Sequence, residues 1–83
     1  MAFRNYYLGW KNKGETFYSK QELLDDIKSD KELCDEIKSG GNNYTIIKEN
    51  TSSRVFQKAI IENCKIKLVT LYREKMIDGD YGN

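Results

Sequence analysis

A ten-residue phrase is written twice, SKQELLDDIKS and then SDKELCDEIKS with Ser29 shared, and this stretch at residues 19–39 constrains the chain more than any other. Both copies read as short helices. Each places a serine three residues ahead of a glutamate, Ser19 with Glu22 and Ser29 with Glu32, which is the form of a capping box. Tyr18 stands where it can staple onto Leu23, and Gly40-Gly41 supplies a left-handed stop. The period decides between one rod and two. Ten residues at about 100° each fall roughly 80° short of three turns, so Leu23, Leu24, Ile27 and Leu33, Cys34, Ile37 cannot form one stripe on a straight helix. A break near Ser29-Asp30 lets both stripes face the same sheet and leaves most of the seven acids in solvent.

The flanks supply that sheet. Over residues 3–10 the even positions Arg4, Tyr6, Leu8 and Trp10 alternate with Asn5, Tyr7 and Gly9, the period of a strand with an aromatic face. Lys11-Asn12-Lys13-Gly14 reads as a hairpin loop with Gly14 in the left-handed position, and residues 15–18 as the return strand. Gly9 inside the first strand marks a bulge or a close approach of another backbone. Residues 44–49 form a third strand that buries Ile46 and Ile47. Thr51, Ser52 and Ser53 can cap a helix carrying Val55, Phe56, Ala59, Ile60 and Cys64, and a strand is the alternative over residues 51–64; the helix is favoured. Residues 65–73 carry apolar groups on both faces, which predicts a central strand. The expected fold is a small single α+β domain over residues 1–76. It has a mainly antiparallel sheet, with an N-terminal hairpin plus two or more strands, and a broken helix packed on one face. Residues 77–83 read as a flexible tail.

Chemistry is constrained mainly by what the sequence lacks. With no histidine there is no imidazole base or metal ligand, and two cysteines thirty residues apart match no metal or redox spacing. Cys34 and Cys64 read as small buried hydrophobes. The expectation is no catalytic residue, no cofactor and no metal. Neither a secretory leader nor a membrane span is legible, so a cytoplasmic protein that makes no membrane contact is expected. Lysine-rich, Asn-, Ile- and Tyr-rich composition points to an AT-rich genome, such as that of a bacteriophage or a low-GC bacterium.

Charge is uneven although the net is +1: residues 1–18 carry +2, 19–39 carry −3 and 40–83 carry +2. Two surfaces follow. An acidic helical face of Asp25, Asp26, Asp30, Asp35 and Glu36 could occupy the basic groove of a nucleic-acid enzyme. An aromatic and basic set, Tyr7, Trp10, Lys11 and Lys13, joined by Lys65 and Lys67, has the residue types that stack bases and hold phosphates. The competing reading of the hairpin, favoured here, makes Tyr6, Leu8 and Trp10 the sheet's core face.

The function expected from these features is a non-catalytic protein-binding module. In that reading it is a phage or mobile-element accessory protein that inhibits or modulates a host nuclease, toxin or other defence enzyme of the CRISPR, restriction or toxin–antitoxin kind. The alternative is a small RNA- or single-stranded-DNA-binding regulator using the aromatic hairpin. A homodimer or larger structural assembly of this chain is the third reading.

Overall fold

A computed structural model describes residues 5–75. The predicted tail lies outside the described residues, as does Arg4. The repeated phrase forms two helices, α1 (Lys20–Lys28) and α2 (Lys31–Lys38), as its period requires. Leu23 and Ile27 on α1, and Leu33 and Ile37 on α2, are buried at i, i+4 spacing. Capping differs from the expected pattern at the junction. Ser19 opens α1 by accepting from the Glu22 N–H, while the Glu22 carboxylate accepts from the N–H of Tyr18, one residue earlier than a capping box requires. Ser29 does not open α2. It closes α1, donating its hydroxyl to the Asp26 carbonyl at 2.8 Å, and Asp30 caps α2 by accepting from the Leu33 N–H at 3.1 Å. The physical reason is backbone conformation: Ser29 is still helical (φ −82°, ψ −6°), whereas Asp30 is extended, the state a cap residue needs. At the far end Gly40 (φ +80°) and Gly41 return their N–H groups to the carbonyls of Ile37 and Glu36, a Schellman closure.

Five antiparallel strands form one sheet in the order β2-β1-β3-β4-β5, with β1 at Tyr6–Trp10, β2 at Lys13–Phe17, β3 at Tyr44–Glu49, β4 at Ser53–Glu62 and β5 at Lys65–Lys75. The first hairpin closes at Lys11 and Asn12, both at positive φ, so the tight two-residue turn does not use Gly14, which is inside β2. Residues 53–62 form a strand and not the favoured helix. Their apolar positions fit either period, and two turns and the strand pairing decide. Asn50 turns its side chain onto the N–H groups of Ser52 and Ser53, both at 2.8 Å, which makes a tight turn of the expected helix cap. Asn63 and Cys64, both at positive φ, form a second two-residue turn. Pairing partners then stand on both sides of β4.

The helices lie on one face, α1 against β1 and β2 and α2 against β4. Beneath them is the core of Tyr6, Leu8, Leu23, Ile27, Leu33, Ile37, Ile46 and Ala59, with Trp10 half-buried against it. This is the core reading of the hairpin's even face. Three further expectations change. Ile47 is half-buried on the opposite face, because it neighbours Ile46 on a pleated strand. Cys64 is exposed in its turn, whereas half-buried Cys34 contacts the Ile27 carbonyl at 3.1 Å. And among the described residues β5 is the sheet's edge, not its centre.

Candidate functional site

Both helices pack on the same side, so among the described residues the other face of the sheet has no helix against it. On that face the register aligns one residue from every strand: Thr16 opposite Tyr7, Tyr7 opposite Ile47, Ile47 opposite Phe56 and Phe56 opposite Tyr72. Three aromatic rings and an isoleucine thus form a continuous row. Phe56 and Tyr72 stack nearly parallel, centroids 4.7 Å apart and planes 13° from each other. Tyr7 lies over a cross-strand pair of glycines, Gly9 and Gly14. A Cβ added to either would stand 3.0 Å or 2.7 Å from its hydroxyl. The close approach predicted at Gly9 is therefore an aromatic ring, not a backbone, and the β1–β2 pairing runs through it without a bulge. Beyond the row, Glu49, Arg54 and Glu74 form a charged line across β3, β4 and β5, with Arg54 3.3 Å from Glu49.

The row ends on the sheet edge. Opposite the Phe56/Gln57 step a bulge inserts Leu71 into β5, since Phe56 faces Tyr72 and Gln57 faces Thr70. Leu71 and Tyr72 are 56% and 54% exposed, two of the three large hydrophobics most open to solvent among the described residues. Leu71 also walls a hollow of about 520 Å³ beside the C-terminal end of α2.

The residues singled out in the sequence are distributed differently. Trp10, Lys11, Lys13, Asp26 and Asp30 come together in one cleft of about 520 Å³ between the first hairpin and the helix junction, which also takes in Glu15 and Glu32. Lys11 pairs there with Glu32 and stands 5.5 Å from the Trp10 ring centroid. The acidic helices and the basic hairpin thus face each other across the cleft. Asp25 accepts from the Gln21 amide at 2.8 Å, Asp35 is 3.8 Å from Lys31, and Glu36 holds the Asn43 N–H and side-chain amide at 3.1 and 2.8 Å. Asp30 is the α2 cap already described. Tyr7 belongs to the helix-free row, while Lys65 and Lys67 lie on β5. Ile47, Phe56, Leu71 and Tyr72 were not singled out. For Leu71 and Tyr72 the signal was the apolar second face of residues 65–73, read as burial in a central strand, while Ile47 was read as buried and Phe56 as part of the favoured helix.

Within the cleft Asp26 is the perturbed group. Burial, then repulsion from and hydrogen bonding with Glu15, then the Asp30 charge, hold its carboxyl above the ordinary value. The folded state keeps that proton more tightly than the unfolded chain, so this group's contribution favours folding in acid and declines as pH rises through the raised pKa. Asp26→Asn is accordingly expected to raise Tm at neutral pH and to make no difference below about pH 3, where the native carboxyl is also neutral. Thermal melts of both proteins across pH check this.

Among the described residues no group of three or more acids and cysteines is arranged to hold a metal ion, and no helix is long and apolar enough to cross a membrane. No protein-family model, curated protein or solved structure matches the chain.

Proposed function

We propose that this chain is a non-catalytic protein-binding module that docks through the helix-free face of its sheet and modulates a host enzyme, with a nuclease, toxin or defence enzyme as the expected target class. The observation that carries the reading is the aligned row Tyr7, Ile47, Phe56 and Tyr72. Aromatic side chains grouped on an open surface give the large, rigid contact area that dominates protein interfaces. Charge supports a protein partner over a polyanion. The helix-free face sets Glu49, Glu62 and Glu74 among Arg54, Lys58, Lys65 and Lys67, and Lys11 of the hairpin is already paired with Glu32.

Replacing Phe56 and Tyr72 together by serine is expected to weaken partner binding at least about tenfold, equivalent to roughly 1.4 kcal/mol. Circular dichroism should be unchanged, because both side chains lie outside the core. Tagged recovery from bacterial lysate with and without nuclease, followed by titration of the recovered protein, makes the measurement. One stoichiometric protein that survives nuclease and is lost with the double variant supports the reading. A partner retained equally by the variant overturns the docking face.

One observation favours a second reading. Tyr7 lying over its glycine pair and the stacked Phe56–Tyr72 rings, with Lys58, Lys65 and Lys67 on the same face, have the layout of a sheet platform for single-stranded nucleic acid. It requires recovery that vanishes with nuclease and affinity that falls steeply with salt.

A further inference from the structure

We infer that β5 is the docking edge, and that its occupant is an extended segment of the partner protein with acidic ends around an apolar centre; the inference rests on the protein-binding reading above. Among the described residues β5, a strand of eleven residues, is paired on one side only, by β4, whereas the opposite edge strand β2 has five residues. An open edge offers a row of backbone donors and acceptors, and strand addition is a recurring way of capturing an extended segment.

The order of residues on β5 selects the occupant. Lys65 and Lys67 stand at one end, Arg73 and Lys75 at the other, and residues 68–72 between them are Leu, Val, Thr, Leu and Tyr. Two acids border the ends, Glu74 opposite an Arg54 that also pairs with Glu49 and Glu62 opposite Lys65, so the charge left for a partner is carried mainly by Lys67, Arg73 and Lys75. A second copy is the wrong partner for this edge. Antiparallel self-pairing about the middle of the strand would bring the basic end at Lys65 and Lys67 alongside the basic end at Arg73 and Lys75, and like charges brought together across a pair oppose it. A strand carrying Asp or Glu at both ends meets opposite charge at each, with its apolar centre against Leu71 and Tyr72.

The hollow beside the edge supplies an anchor. Leu71 walls it together with Ile37, Tyr44, Ala59, Ile61 and Gln57, and the buried Gln57 Oε1 has no hydrogen-bond partner among the described residues. A side chain reaching back from the added segment can bury apolar surface there.

The test uses the full chain and two synthetic peptides, one with acidic ends around an alternating Val/Thr centre and the other identical but with lysine ends. Amide hydrogen exchange and NMR shift mapping read the location, and titration at two salt concentrations reads affinity. The expected result is that only the acidic peptide binds, more weakly at high salt, with slowed exchange confined to β5. Lys67→Glu combined with Arg73→Glu should weaken it at least tenfold while letting the lysine-ended peptide bind. Equal binding of both peptides, binding that leaves β5 exchange unchanged, or binding of neither overturns the inference. So does slowed β5 exchange that grows with protein concentration alone, which would mean a second copy. If the charge reversal leaves capture of the cellular partner intact while the Phe56 and Tyr72 double variant abolishes it, the edge assignment fails and the protein-binding reading stands.

Discussion

Ile46→Ala is expected to remove about 3 kcal/mol of folding stability, within the usual range for truncating a fully buried branched side chain. Ile46 has no solvent-exposed surface, lies on the middle strand β3, and faces Leu8 on β1 and Gln57 on β4. Leu23, Ile27 and Leu33 of the two helices are equally buried in the same cluster. Deleting the Ile46 side chain beyond Cβ opens a void that sheet and helices border together, and neither can move in without disturbing the other. A chain of this length has a total stability of roughly 4–12 kcal/mol, so the loss is a large fraction of it. Urea unfolding should show a lower midpoint with an unchanged slope. A loss below about 1 kcal/mol would mean that the core collapses around the void.

Tyr44→Phe is the second large effect, and it arises from one oxygen atom. The β3–β4 pairing stops at Ile46 and Gln57, yet β4 continues past it. At that point the Tyr44 hydroxyl accepts from the Ala59 N–H at 3.0 Å and donates to the Ala59 carbonyl at 3.3 Å. The side chain thus serves both backbone groups of a residue that is only 5% exposed. Phenylalanine keeps the ring and strands a donor and an acceptor at once. Each unsatisfied buried group costs about 1–3 kcal/mol, so a loss of roughly 2–4 kcal/mol is expected. Amide exchange at Ala59 gives a local check, since its protection should fall more than that of Leu33. If stability changes by less than about 0.5 kcal/mol, water has replaced the hydroxyl.

Much of the architecture was legible in particular residues. The ten-residue repeat required two helices because its phase does not close, and the alternation of Tyr6, Leu8 and Trp10 gave the inward face of the first strand. What escaped was decided by contacts between segments distant in sequence. Val55, Phe56, Ala59 and Ile60 satisfy helical and alternating periods alike, and it is the pairing of β4 with β3 and β5, between the turns at Asn50 and at Asn63-Cys64, that excludes the helix. The apolar residues on both faces of 65–73 pointed to burial. They have another origin, because one face packs toward the helices and the other remains open at an edge. The charge blocks were visible, but not that Lys11 would meet Glu32 across a cleft or that Glu36 would hold Asn43. The row on the helix-free face could not be read before the register was known. Its four members come from four strands.

The strand order also determines how the molecule can assemble in time. Each outer pair, β1 with β2 and β4 with β5, is a hairpin closed by a two-residue turn, the kind of unit that forms in about 1–10 μs. The seam between β1 and β3 is different, because the second strand, both helices and their connections lie between its two sides along the chain. Closing it carries most of the loop entropy, and that cost must be met before the core contacts it creates can repay it. Folding is therefore expected to be limited by the joining of two ready-made ribbons. In stopped-flow experiments Leu8→Ala at the seam should slow refolding, and destabilising substitutions at the Asn63-Cys64 tip, in a ribbon closed before the seam joins, should likewise act on refolding and leave unfolding nearly unchanged.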